Sequence, residues 1–346
     1  TPHSAVSIYT YDLPARFRTD VLAANPSCTS NQWAFEVMLP IALKERTPPV
    51  EASNADFYLV PFPVKCYSNF VARYDRKVVD ATYIELLEWI RQKHVWYNRS
   101  GGLDHIFIFP SGQGPNIFPS HNIYIPHSIF FVAEGDRSQS FTNPFKDIVV
   151  PGVSDIATSS QVSRRNELLA VFRGNIMLSV ARQDGTKMKE RSHLRSSLSV
   201  TLGNVSDIIF SDKKLNMREY TAELHRAFFI ICPRGITPWT RRLFDGMFAG
   251  TVPVIISDDI QLPFENDLDW SKFTIKISEA EAIKPNTLER ILRMHISNGS
   301  YTNKVKYLHQ VRELFDWRKP YIIDAILLQL ERRRRYFKHG SLRTWS

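Results

Sequence analysis

Residues 228–257 read FFIICPRGITPWTRRLFDGMFAGTVPVIIS, and this stretch decides the fold. The apolar run FFIIC has the length of a strand and breaks at Pro233-Arg234-Gly235. In TPWTRRLFDGMFAG the apolar residues recur every three or four positions, which is the period of one helix face. Gly250 closes the helix, and VPVII resumes as a second strand with no polar face. Strands apolar on both sides, joined through a helix, belong to a parallel sheet covered on both faces.

The same alternation extends outward. Upstream lie the strand ELLAVFRGNI (167–176), the helix ERSHLRSSLSVTL (190–202), the strand DIIFSD (207–212) and the helix MREYTAELHRA (217–227). The first half repeats the scheme with AVSIYTYDLP (5–14), the helix SNQWAFEVMLPIAL (30–43) and the strand ADFYLVPFPV (55–64). In that helix Ser30 reads as N-cap and Pro40 as a kink. The helix ATYIELLEWIRQKHVWY (81–97), the strand DHIFIFPSG (104–112), a shorter helix and strand in 122–136, and KDIVVPG (146–152) complete the half. Two such sets predict an α/β protein of two doubly wound, Rossmann-like domains. The expected division is 1–152, 153–319, and a C-terminal helix in 320–346 packing back on the first domain.

A chain of 346 residues buries a large core without staples. It carries no apolar run near the ~20 residues of a membrane span, and its first residues enter a strand at once, so no signal peptide is read. The net charge of +9 admits anionic partners. The basic run ERRRRYFKHG (331–340) reads as a solvated helix end. Without zinc-finger spacing or an RNA-binding aromatic motif, no nucleic acid is expected. Three cysteines, Cys28, Cys66 and Cys232, form no C-x-x-C. Three N-x-[ST] sequons, at Asn98, Asn204 and Asn298, fit a secretory lumen, where one disulfide is plausible.

In open parallel sheets, ligands bind beyond the carboxyl ends of the strands. Arg173-Gly174 lies there, as does Pro233-Arg234-Gly235, whose loop runs through Thr237, Trp239 and Thr240 to Arg241 and Arg242. Arginines around a helix N-terminus make an anion site. Asp245, one turn further on, suits a ribose diol. Together they read as a sugar-nucleotide site. The plainer alternatives are a helix ion pair from Arg241 or Arg242 to Asp245, and Arg173 as a surface charge.

The ordered set IYTYDLP, NQWAFEVMLP, ADFYLVPF, GGLDHIFIF, FRG, CPRG, TRRLFDGMFAGTVPVIISDDIQLPF and DLDW, spread over residues 6–325, resembles exostosin-like glycosyltransferases of family 47. The segment around TRRLFDGMFAG is most like plant members of xyloglucan-galactosyltransferase type. The resemblance implies a GT-B fold with an interdomain cleft, and inverting transfer from a UDP-sugar to a polysaccharide or glycoprotein glycan, with no metal or other cofactor. It also implies a type II membrane protein of the Golgi lumen, its anchor outside this chain. A homo- or heterodimer with a related glycosyltransferase is a further implication, as is an alternative role as an inactive partner subunit. By resemblance Arg173 contacts the pyrophosphate, Asp245 takes the ribose, Arg234 and Arg242 line the same pocket, and Cys28 pairs with Cys66, leaving Cys232 a buried thiol. Many relatives have His-Asp where this chain has Pro110-Ser111-Gly112, which bears on the acceptor.

Inverting transfer needs a base for the acceptor hydroxyl. Glu36, among apolar neighbours in WAFEVML and at a glutamate position of the family, is the first candidate, its alternative being a capping or pairing role in the core. His105 is second, with a structural histidine as its alternative. Asp267-Leu268-Asp269 matches the metal-binding D-x-D of another fold but precedes Trp270-Ser271, so a turn or cap is expected. Asp258-Asp259 reads as turn residues near the acceptor.

Overall fold

In a computed structural model of the chain, residues 6–139, 142–158, 167–176 and 193–339 are described. Two compact units emerge, one of residues 1–153, 262–264 and 320–346, the other of 154–261 and 265–319. No helix among the described residues is long and apolar enough to cross a membrane.

The first unit holds a parallel sheet of β1 (Ile8–Thr10), β2 (Phe57–Leu59), β3 (His105–Phe109), β4 (Ile129–Val132) and β5 (Ile148–Val149), ordered 1-2-3-4-5. Register is continuous, with Tyr9 beside Tyr58 and Tyr58 beside His105. Tyr58, Phe107, Phe109 and Phe130 join one core cluster with Tyr83, Leu86 and Leu87 of helix α3 (Arg76–Lys93). The alternate residues Phe57, Leu59, Ile106, Ile108 and Phe131 are equally buried. Both faces are therefore covered, which is why these strands show no polar alternation.

Helix α1 (Phe35–Arg46) starts five residues later than the sequence suggests. Ser30 is not its N-cap. Asn25 caps a short helix, Pro26–Thr29, by accepting from the Ser27 amide, and the Ser30 hydroxyl donates to the Pro26 carbonyl at that helix's end. α1 runs on through Pro40. Helix α2 (Val64–Phe70) follows β2. Cys28 and Cys66 are disulfide-bonded with Cα atoms 5.7 Å apart, and Cys232 is a buried free thiol.

The second unit holds β6 (Leu168–Arg173), β7 (Ile208–Ser211), β8 (Ala227–Pro233), β9 (Val252–Ile256) and β10 (Ile275–Lys276), all parallel, in the order 10-9-8-6-7. Its helices include α4 (His193–Leu202), α5 (Met217–Arg226), α6 (Arg242–Ala249), α7 (Thr287–Ser297) and α8 (Ser300–Val311). Asn216 and Glu219 close a capping box on α5. Gly250, with φ 72°, ends α6 in the left-handed conformation that suits glycine. Two Rossmann-like parallel sheets in one chain are the organisation of the GT-B class.

The last helix, α9 (Tyr321–His339), belongs to the first unit. Asp324 forms a two-point pair with Arg46 of α1, at 2.9 Å each. The basic run is not simply a solvated end. Arg333 is buried and donates to the carbonyls of Lys146 and Asp147, and Arg334 pairs with Asp56 and Glu331.

Candidate active site

In the second unit the chain leaves β6 to one side for β7, then crosses to the other side for β8. The reversal opens a crevice at the carboxyl ends of β6 and β8, where sheets of this kind bind ligands. Arg173-Gly174 ends β6 and Pro233-Arg234 ends β8.

Four guanidinium groups gather there. Arg173 makes a two-point pair with Glu223 of α5, 2.8 Å at Nε and 2.5 Å at Nη2, and the carboxylate raises its pKa. Arg242 lies over the Phe172 ring, 4.9 Å from the centroid; it donates to the Thr240 hydroxyl at 3.0 Å and to the Arg173 carbonyl. Gly174 makes room for it, since a Cβ there would overlap Arg242 Nη2. Arg195 reaches in from α4, buried, and donates to the carbonyls of Arg234 (3.0 Å), Asn175 (3.0 Å) and Pro233 (3.2 Å). Burial, with the like charge of Arg242, lowers its pKa to about 10, so it stays a cation at neutral pH. Among the described residues neither Arg195 nor Arg242 forms a salt bridge to a carboxylate. Arg234 is 8% exposed, with Nη1 at 3.4 Å from both Asp259 and Glu279. Its Nε and Nη2, and Trp239 Nε1 five residues on, are buried donors with no partner among the described residues.

The two adjacent arginines at the start of α6, Arg241 before it and Arg242 its first residue, divide their work. Arg242 faces the strand ends. Arg241 turns to Asp155 (3.0 Å) and to Asp245 (3.5 Å), so the helix ion pair is present for that residue. Asp245 is 2% exposed; it accepts from the Ser154 hydroxyl at 2.6 Å and lies 3.4 Å from the Tyr220 hydroxyl. Burial raises its pKa, against the pull of Arg241 and Ser154. Its carboxylate is therefore already partnered within the second unit.

In the first unit, Glu36 is buried, and burial pushes its pKa up to about 8 against the hydrogen bonds it accepts. Both oxygens are taken by the first turn of α2: Oε2 accepts from the Lys65 amide at 2.9 Å and Oε1 from the Cys66 amide at 2.8 Å. Glu36 thus satisfies helix donors that have no partner within the helix. These bonds are those of the capping alternative. His105 is wholly buried at the start of β3, away from the strand's carboxyl end, and stacks on Tyr58. Nδ1 meets Asp104 at 2.7 Å and Nε2 meets the Tyr11 hydroxyl at 2.8 Å. Burial lowers its pKa. With both nitrogens engaged, it has the surroundings of the structural alternative. Ser111, in the loop after β3, is buried with its hydroxyl unpartnered among the described residues.

Asp269 caps the short helix Trp270–Lys272, accepting from Ser271, so Asp267–Asp269 is a turn and cap. Asp258 exchanges hydrogen bonds with Glu279 across a turn. Asn98, Asn204 and Asn298 are all exposed.

Sequence reading missed Arg195, Glu223, Tyr220 and Ser154. Tyr220 and Glu223 stand three apart, hence on one face of α5, and the buried Leu224 beside them is the available signal. Arg195 sits among serines with nothing in the local pattern to mark it as buried.

The exostosin GT47 domain matches residues 2–292. A probable glucuronosyltransferase of Oryza sativa subsp. japonica is 26% identical over 306 residues, covering 84% of this chain and 70% of that protein. A probable arabinosyltransferase of Arabidopsis thaliana is 31% identical over 289 residues, covering 78% of this chain and 60% of that one. Among solved structures, Anabaena HepE in complex with UDP is similar at a TM-score of 0.42 and 12% identity, covering 88% of this chain and 84% of that one. With a domain match across most of its length, the chain belongs to the exostosin GT47 family of glycosyltransferases.

Proposed function

We propose that the protein is an inverting glycosyltransferase whose second unit binds a UDP-sugar and whose acceptor is a cell-wall polysaccharide. The observation that carries the donor site is Arg234. A buried guanidinium with two donors unpartnered among the described residues, at a topological switch point, favours an anion, and Arg195 and Arg242 beside it form no carboxylate salt bridge among those residues. A diphosphate answers both needs. As the acceptor hydroxyl attacks the anomeric carbon, the bond to the diphosphate breaks and the hydroxyl proton passes to a general base, for which Glu36 is the first candidate to test. The guanidinium groups then hold the charge that grows on the leaving oxygen, a role a metal ion fills elsewhere. Asp245 and Tyr220, at 3.4 Å, sit beside this set as partners for a ribose diol. The disulfide and the three exposed sequon asparagines favour an oxidising, glycosylating lumen such as the Golgi.

The named relatives are probable glucuronosyl- and arabinosyltransferases, so UDP-glucuronate and UDP-arabinose head the donors to screen. The test is calorimetric UDP binding followed by transfer assays over a nucleotide-sugar panel. Saturable UDP binding lost in Arg234→Ala is the expected result. UDP binding that survives Arg234→Ala unchanged overturns the site.

A further inference from the structure

The first unit carries a second built feature, at the carboxyl edge of its own sheet. Trp33 lies in the segment after β1, Lys65 opens α2 after β2, and Tyr74 lies between α2 and α3. The Lys65 ammonium stands 5.1 Å from the Trp33 ring centroid and 5.6 Å from that of Tyr74, so it is framed by two aromatic rings. It makes no hydrogen bond or ion pair among the described residues. Among the described residues the carboxyl group that acts on it is Glu36, which holds the backbone amide of Lys65 and not its ammonium.

The frame is rigid where it needs to be. Glu36 fixes the amides of Lys65 and Cys66, and Cys66 is tied to Cys28. On the other side Arg73 and Tyr74 both adopt left-handed backbone, φ 50° and 67°. Two consecutive non-glycine residues there store strain, and strain of this kind collects at ligand sites. Tyr74 is 66% exposed. Burial meanwhile pulls the Lys65 pKa below the ordinary lysine value. An anion beside it would reverse that pull.

We infer that Trp33, Lys65 and Tyr74 form an acceptor subsite for an acidic glycan, the rings stacking on pyranose faces and the ammonium meeting a uronate carboxylate. This rests on the reading of the chain as a polysaccharide glycosyltransferase. A neutral glycan uses the rings alone and gives the ammonium no anionic partner. The net charge of +9 favours an anionic polymer over a neutral one.

The test is calorimetry on the whole protein with an oligogalacturonate and a neutral xylo-oligosaccharide of equal length, with UDP as a separate ligand. The acidic oligomer is expected to bind at least about tenfold more tightly than the neutral one, as a charged hydrogen bond gives. Lys65→Met, which keeps the backbone amide that Glu36 needs, should bring the acidic oligomer to the neutral one's affinity. Tyr74→Ala should weaken both by about tenfold. UDP affinity should be the same in all three proteins. Equal affinity for the two oligomers in the wild type, no binding of either, or no effect of Lys65→Met overturns the subsite. Failure of UDP to bind any form overturns the donor site instead and leaves the glycan comparison to be judged on its own.

Discussion

Gly174→Ala is expected to disable the donor site without unfolding the protein. A Cβ at this position would overlap Arg242 Nη2 and lie 2.6 Å from Arg242 Cζ. The glycine's φ lies outside the left-handed region, so alanine meets no backbone strain there. What must move is the far end of a flexible side chain. Arg242 would leave the Phe172 ring, the Thr240 hydroxyl and the Arg173 carbonyl. A charge-assisted hydrogen bond to a phosphate is worth about 1.5–3 kcal/mol, so the UDP dissociation constant should rise roughly tenfold to a hundredfold. Stability should change by less than about 1 kcal/mol, as the packed core is untouched. Calorimetry and urea unfolding on one preparation measure both. Arg242→Ala should give the same loss, and the double variant should be no weaker than either single one, because both remove one guanidinium. Wild-type UDP affinity in Gly174→Ala, or fully additive losses in the double variant, would refute the assignment of Arg242.

Glu36→Gln should leave turnover per folded molecule near normal while costing about 1–3 kcal/mol of stability, since glutamine keeps one amide acceptor and turns an NH2 toward the other donor. Its pKa is raised to about 8 by burial, so from about pH 5 to 8 the folded state holds a proton that the unfolded state has released. Wild-type stability should therefore fall with rising pH in that window, by at most about 1.4 kcal/mol per pH unit from this group, and Glu36→Gln should lack that slope in urea titrations. Turnover abolished at unchanged stability would restore Glu36 as the base. Reduction of the Cys28–Cys66 bond, with a sequence separation of 38, should cost about 4 kcal/mol, read as a lower melting temperature in dithiothreitol. Transfer should persist in excess chelator, and activity lost to chelator and restored by manganese would sink the arginine-based account of leaving-group charge.

The fold was legible because its strands are short, buried on both faces and separated by amphipathic helices, as FFIIC and VPVII show most plainly. The arginines at the ends of β6 and β8 were legible for the same reason, since strand ends can be read from the apolar runs that stop there. Partners were not. Arg241 and Arg242 are neighbours in sequence, and only the helix turn sends one to Asp245 and the other to Phe172. Glu36 was legible as a buried carboxylate, but its donors come from α2, some thirty residues away, where no local pattern names them. Ser30 misled because a hydroxyl can end one helix as readily as it begins another.

Arg333 of α9 bonds the carbonyls of Lys146 and Asp147, although residues 154–261 and 265–319 of the other unit are translated in between. Domains usually mature in the order in which they leave the ribosome. Here the first unit waits for its last helix while the second, contiguous but for three residues, can finish earlier. During synthesis the carbonyls beside β5 and the α1 surface that receives Asp324 stay bare through most of elongation. Apolar surface left bare in such an interval is what makes partly folded chains prone to aggregate. A nascent chain arrested before residue 320 should accordingly show a protease-resistant second unit and a labile first one.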